Sequence, residues 1–202
     1  MPEPSRKPSL LRTEDERDYN LRARRILFID DAVDAAVCGN FCRDLVYISE
    51  RCLSEKLPIW IILNSPGGDV YYGIGIHDAI GVITARGITV NIVGMGLVAS
   101  MASVIIQAGT KRFATPHTQF LLHQVSDSIL FREEEVNVTE ERADEMKRIN
   151  RIVMNIIAQR IGLDIEELLA KTKKLDYWLD VTQAKAMGTH GVIDEVITEL
   201  PF

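Results

Sequence analysis

Ile59-Trp60-Ile61-Ile62-Leu63 is an unbroken apolar run, and Asn64-Ser65-Pro66-Gly67-Gly68-Asp69 stops it at once. A short β-branched run with no polar alternation reads as a strand buried on both faces, the signature of a parallel sheet. Proline followed by paired glycines is turn chemistry. Val70–Ala85 follows as a helix, so the stretch is a strand, a tight turn and a helix. Upstream lie a short strand, Ile26–Ile29, and a helix over 34–56, with apolar Val37, Phe41, Leu45 and Ile48 at helical spacing. Downstream the pattern predicts a strand over 88–93, a tight connection over 94–98 and a buried helix over 99–109. Lys111–Ala114 and 120–123 read as short strands. This alternation of strand and helix predicts a parallel sheet with helices on both sides.

Beyond His123 the pattern changes. Residues 127–138 are charged and irregular. A long helix over 139–161 carries an apolar stripe of Ala143, Met146, Ile149, Val153, Ile157 and Ile161, whose spacing marks a packing seam. Asp164 with Glu166 and Glu167 reads as the cap of a further helix. Tyr177–Leu179, a helix over 182–187 and a strand over 192–196 complete the chain. The first twenty residues mix charge with proline and serine and read as a mobile tail or one ordered only by neighbours.

The 202 residues suit one domain, and 47% hydrophobic with 26% charged residues suits a real core. A net charge of −6 disfavours nucleic acid, whose phosphates need a basic face, and 6% aromatics disfavour base stacking. No apolar stretch reaches the ~20 residues of a membrane span. The start of the chain has no apolar core of a secretory signal. The expectation is a cytoplasmic protein, with no membrane and no nucleic acid among its partners. Three cysteines, Cys38, Cys42 and Cys52, form no disulfide framework. Cys38 and Cys42 share a helix face, but without further ligands nearby they read as small buried apolar residues rather than a metal site.

Two segments carry chemistry. In Ser65-Pro66-Gly67-Gly68-Asp69 the glycines let the backbone approach a ligand and turn N–H groups towards an oxyanion. A phosphate loop is excluded, because the GxxxxGK[ST] pattern is absent and Asp69 would repel phosphate. In Gly94-Met95-Gly96-Leu97-Val98-Ala99-Ser100-Met101-Ala102, Ser100 opens an apolar helix after a strand. Such a serine is either an ordinary N-cap or a hydroxyl presented at the carboxyl end of a parallel sheet, where sites form. His123 closes an apolar strand 23 residues on and is the candidate general base. His77 inside a helix, His117 in a turn and His190 in a loop are weaker candidates.

These segments resemble the Clp family of ring-forming serine peptidases: Leu63-Asn64-Ser65-Pro66-Gly67-Gly68, Ala99-Ser100-Met101 after Gly94-Met95-Gly96, and the TPHTQFLLHQ stretch ending at Gln124. The WLDVTQAKAMGTHGVIDEV block ending at Val196 is similar too, so the likeness covers about residues 19–195. It implies an α/β, crotonase-like spiral fold with a parallel sheet core and a protruding handle helix. It further implies Ser100 as nucleophile, His123 as base, and the Gly68 and Met101 N–H groups as the oxyanion hole. On the same ground residues 1–18 are a mobile N-terminal segment, and 19–202 a peptidase domain with its handle at about 125–161. No metal or other cofactor is implied, since a partner AAA+ Clp ATPase hydrolyses ATP and feeds in polypeptide. The implied assembly is a homo-oligomeric heptameric ring, single or stacked in a pair. Trp60 and Ile62 match apolar residues of the family's unfoldase-docking groove.

The chain departs from the family pattern where the third triad residue, an aspartate, belongs. The matching segment is Lys171-Thr172-Lys173-Lys174-Leu175-Asp176, which puts Thr172 or, shifted by one, Lys171 at the acid position. Asp176 and Asp180 are the substitutes in reach. Losing such an acid can cost about 10⁴ in rate, and a lysine nearby would oppose an imidazolium. The family's glycine-rich strand is also replaced by Val125-Ser126-Asp127-Ser128-Ile129-Leu130-Phe131-Arg132-Glu133-Glu134-Glu135, and its axial loop is not matched closely. The main reading is a serine endopeptidase that cleaves unfolded polypeptides. The alternative is a catalytically weak or inactive structural subunit of a mixed ring. An acyl-CoA enzyme of the crotonase type shares the fold but has no role for Ser100 and His123. A Ser–Lys signal-peptide peptidase would want a membrane anchor.

Overall fold

A computed structural model describes residues 14–55, 57–125, 136–173 and 176–202. In chain order the elements are α1 (Glu14–Ala23), β1 (Ile26–Ile29), α2 (Ala35–Glu55), β2 (Ile59–Ser65), α3 (Val70–Ala85), β3 (Val90–Ala99) and α4 (Met101–Ile105). After a 3₁₀ turn (Ile106–Ala108) come β4 (Lys111–Ala114), β5 (Gln119–Leu122), α5 (Val136–Ile161), α6 (Ile165–Thr172), β6 (Tyr177–Leu179), α7 (Val181–Ala186) and β7 (Glu195–Val196). The strands form one sheet in the order β1-β2-β3-β4-β7, all parallel. The other two strands leave that path: β5 runs parallel to the end of β3, and β6 antiparallel to β5.

β3 is the spine. Its first half pairs with β4 through Asn91–Gly94, and its last three residues pair with β5 through Leu97–Ala99. Residues 94–98, expected as a tight connection, are therefore strand. The register against β2 jumps from Leu63↔Gly94 to Ser65↔Val98, so one residue of β2 opposes three of β3. Asn64 fills this bulge: its Oδ1 accepts the Leu97 N–H at 3.0 Å, beside Gly96 at φ +80°. Paired glycines that look like a turn in sequence are here the kink by which one strand serves two neighbours. The helix after it is correspondingly short, five residues and a 3₁₀ turn rather than the expected eleven-residue span.

The sheet's two faces are unequal. Ile59, Ile61 and Leu63 of β2 enter a large core with Leu45 of α2, Ile76 and Ile80 of α3, Ile105 of α4, and Ile149, Val153 and Ile157 of α5. Trp60 and Ile62 point the other way, into a small cluster with Ile26, Val93 and Phe113. That cluster is covered by Leu21 of α1, Met95, Ile197 and Phe202. Helices lie on both sides, as expected, but unequally: among the described residues α1 alone serves the thin face. Trp60, 8% exposed, lies against the rings of Phe113 and Phe202, with centroids 5.7 and 5.5 Å away.

α5 begins at Val136, three residues before the expected start, and its stripe is buried from Ile149 to Ile161, whereas Ala143 is exposed. The irregular segment expected over 127–138 lies outside the described residues up to 135. α1 takes in residues 14–18 of the expected N-terminal segment, and residues 1–13 lie outside the described residues. Asp164 caps α6 by accepting from the Glu166 and Glu167 N–H groups, as expected. Only Glu195–Val196 of the expected last strand is paired. Cys52 belongs to the core and Cys38 and Cys42 pack against it, all free thiols. Burial, with Cys38 alongside, pushes the Cys42 thiol up to about 11, so it stays protonated and unreactive at neutral pH.

One buried charge pins the C-terminal segment to the sheet. Arg112 of β4 is 1% exposed. Its guanidinium donates to Gln107 Oε1 at 2.7 Å, to the Gly191 and His190 carbonyls at 2.8 and 3.0 Å, and to both oxygens of Asp194. Desolvation works to raise the Asp194 carboxyl, but the hydrogen bonds and charge of Arg112 outweigh it and hold the carboxyl below its usual range. A depressed folded-state value stabilises above the unfolded value of about 3.9, and that contribution disappears as pH falls through the folded value. Asp194→Asn strands the buried guanidinium without its counter-charge, so urea denaturation at pH 7 should show a loss of roughly 3 kcal/mol. The gap to wild type should narrow as pH falls below the unfolded value and close once it passes the depressed folded value, because there the native carboxyl is protonated too.

Candidate active site

Ser100 stands between β3 and α4 with φ 55° and ψ −122°, one of two non-glycine residues at positive φ among those described. Such a conformation costs of order 1–3 kcal/mol and persists only where surroundings impose it. On one side its N–H donates to the Leu121 carbonyl of β5 at 2.9 Å, and on the other its carbonyl accepts from the Ser103 N–H at 2.9 Å. It thus belongs to the ladder and to the helix at once. Its side chain makes no capping hydrogen bond. The ordinary N-cap role is therefore absent, and the hydroxyl is not tied to α4.

The glycine turn lies directly against it. A Cβ built on Gly67 would fall 2.6 Å from Ser100 Cβ and 2.8 Å from the Met101 nitrogen. Gly68 forms a parallel bridge with Val33: Val33 N–H donates to Gly67 O at 2.7 Å, and Asp69 N–H donates to Val33 O at 2.8 Å. In such a bridge the groups of the middle residue point the opposite way, so the Gly68 N–H is directed away from Val33. Asp69 holds the end of the turn by capping α3, accepting from the Tyr71 and Tyr72 N–H groups at 2.9 and 3.1 Å.

Gly68, Ser100, Met101 and His123 line one cavity of about 700 Å³. Its remaining wall is largely apolar: Val104 of α4, Leu122 of β5, and Met146, Ile149, Val153 and Ile157 of α5. At its rim the Tyr71 hydroxyl donates to Glu145 at 3.2 Å, and Arg148 holds the same carboxylate with two bonds of 2.7 Å. The bond from Arg148 keeps the Glu145 carboxyl below its ordinary range, and the bond to Glu145 keeps the Tyr71 phenol above its own. His77, paired with Asp78, His117 and His190 are not among the cavity's lining residues.

His123 is half-buried, and its Nδ1 lies 2.7 Å from the main-chain carbonyl of Gln124. A carbonyl only accepts, so Nδ1 carries the hydrogen, and the neutral ring keeps its lone pair on Nε2. Among the described residues no carboxylate bonds to this ring. Thr172 is 3% exposed and donates to the Leu168 carbonyl of its own helix at 2.9 Å. Lys171 pairs with Glu167 at 3.4 Å. Asp180 caps α7 with a full capping box. Asp176 is exposed, just before β6. The β5–β6 register, Leu122↔Tyr177, extended by one step, sets Asp176 opposite His123 beyond the last pair.

Sequence reasoning identified the four residues that share the cavity and missed its floor. The α5 stripe was legible only as a packing seam, yet Met146, Ile149, Val153 and Ile157 also face the cavity. It missed the Gln124 carbonyl as well, since a main-chain group leaves no mark in the residue alphabet.

A model of the Clp protease family matches residues 12–200. The chain belongs to the Clp protease family. The ATP-dependent Clp protease proteolytic subunit of Bacteroides fragilis is 31% identical over 175 residues, 86% of this chain and 79% of that protein. The ATP-dependent Clp protease proteolytic subunit 2 of Prochlorococcus marinus is 32% identical over 180 residues, 88% of this chain and 84% of that protein. Among the described residues no group of three or more His, Cys, Asp or Glu side chains could hold a metal ion, and no helix is long and apolar enough to cross a membrane.

The contact between the glycine turn and Ser100 can be weighed with two alanines. Gly67 and Gly87 have nearly the same φ, +89° and +85°, but a Cβ on Gly87 would meet nothing within 4 Å. Gly87→Ala should cost only the conformational strain of about 1–2 kcal/mol. Gly67→Ala should cost at least about 2 kcal/mol more, since it also drives a methyl group into Ser100 and Met101. Urea midpoints of the two variants give the difference.

Proposed function

We propose that this chain is a serine endopeptidase subunit of a Clp-type protease, with Ser100 as nucleophile and His123 as general base. The observation that carries the reading is Ser100 at a strained strand–helix junction, its hydroxyl free of the capping role, in one cavity with His123, Gly68 and Met101. His123 Nε2 takes the hydroxyl proton as Ser100 Oγ adds to the peptide carbonyl. The oxyanion that forms accepts from the Gly68 and Met101 N–H groups, which are fixed before the charge develops. Collapse returns the proton from Nε2 to the leaving amine, and water then releases the acyl group by the same route. The apolar floor suits a large apolar side chain beside the cleaved bond.

None of these steps draws on a metal or organic cofactor. The relatives' shared name, ATP-dependent Clp protease proteolytic subunit, supports a chain that works in an oligomeric ring with an AAA+ ATPase. In this reading the assembly is a heptameric ring, single or stacked in a pair, and cytoplasmic. Ring closure confines a site with little intrinsic selectivity.

A fluorophosphonate probe should label the wild-type chain at Ser100 and fail to label Ser100→Ala. His123→Ala should lower peptide hydrolysis by roughly 10⁴ or more. Labelling that survives loss of Ser100, or hydrolysis that survives loss of His123, refutes the assignment. An intact ring that takes up no label at all points instead to the inactive structural subunit.

A further inference from the structure

The family's triad acid is replaced in this chain by residues turned elsewhere, yet His123 is not left unheld. The peptide unit that joins Gln124 to Val125 is bonded at both ends. Its carbonyl accepts from His123 Nδ1 at 2.7 Å, and its N–H donates to Asn150 Oδ1 of α5 at 3.0 Å. Asn150 Nδ2 in turn donates to Gln124 Oε1 at 3.3 Å, and Gln124 Nε2 donates to the Leu169 carbonyl of α6 at 3.1 Å. The segment after β5 is thereby fastened to two helices at the residue next to the imidazole.

We propose that Asn150 is a positioning residue for His123, acting through the Gln124–Val125 peptide group in place of a triad carboxylate. The inference rests on His123 being the general base. An acceptor on the peptide N–H fixes the peptide plane and polarises its carbonyl, so the carbonyl becomes a stronger and better-aimed acceptor for Nδ1–H. That bond sets the tautomer, leaving Nε2 free to take the Ser100 proton, and it sets the ring plane. A neutral carbonyl cannot match a carboxylate in stabilising the imidazolium, but it does select the tautomer and orientation. Asn150 lies one residue along α5 from Ile149 of the cavity floor, so the helix that shapes the substrate pocket also holds the base.

The test compares Asn150→Leu, which keeps the volume and removes the acceptor, with Asn150→Asp, which keeps an acceptor for the Val125 N–H. Both are assayed in the full-length oligomer on a fluorogenic peptide with an apolar residue before the cleaved bond, alongside thermal unfolding. Asn150→Leu should lower kcat roughly 10- to 100-fold with KM within about twofold, as expected for a misaimed base. Asn150→Asp should return kcat to within about threefold of wild type, and Asp176→Asn should change it by less than that. If leucine does not fold at this position, Asn150→Ala takes its place in the comparison. Wild-type kcat without the acceptor, equal losses in the Leu and Asp variants, or loss of activity in Asp176→Asn overturns the proposal. Hydrolysis that persists in His123→Ala would sink the functional reading itself, whatever Asn150 does.

Discussion

The contact between the Gly67–Gly68 turn and the Ser100–Met101 backbone is the constraint on which the site depends. Ser100 holds a left-handed φ of 55° that an isolated chain would abandon. Its N–H is held by β5, its carbonyl by α4, and the space beside its Cβ is occupied by a glycine that admits no side chain. The strain is imposed jointly by β5, α4 and the glycine turn. This arrangement puts backbone N–H groups and a hydroxyl at the carboxyl end of the strands, where a parallel sheet offers open space above a rigid base. The bulge in β3 belongs to the same device. By kinking at Gly94–Gly96, the strand leaves β4 and joins β5, and β5 delivers His123 to the cavity that Ser100 faces.

α5 performs two tasks that look alike in sequence. Ile149, Val153 and Ile157 are buried in the core and also floor the cavity. The core and the cavity wall thus draw on one apolar stripe, so a change in this helix alters both. The rim is different in kind. Tyr71, Glu145 and Arg148 form an exposed chain of hydrogen bonds from the start of α3 to α5, and exposed pairs of this sort contribute little to stability. Their place at the mouth fits shaping of access better than support of the fold.

Much of this was legible in the residues, for physical reasons. An unbroken apolar run such as Ile59–Leu63 occurs where both faces of a strand are covered, and proline with paired glycines has few uses other than a sharp turn. Ser100 and His123 stood out because polar residues at the ends of apolar strands need a reason to be there. What was not legible depended on pairing between distant segments. Whether Gly94–Val98 is a turn or a bulged strand is decided by Asn64 and β5, not by the five residues themselves. Likewise, the thin face of the sheet is covered by Leu21 and Phe202 from opposite ends of the chain, which strand–helix alternation cannot anticipate.

The segment 171–176 shows how far a missing charge matters. A lysine at the acid position would disfavour an imidazolium if it were free to approach, but Lys171 is turned to Glu167 and Thr172 is bonded into its own helix. The site therefore loses the acid's stabilisation without gaining a repulsion. What remains is orientation, which a main-chain carbonyl supplies at 2.7 Å without titrating. A carboxylate partner would be lost by protonation in acid, whereas a peptide carbonyl keeps its acceptor at every pH. On the proposed assignment, the chain exchanges part of the charge stabilisation of a Ser-His-Asp site for a hold on the histidine that comes from α5, the helix that also lines the cavity.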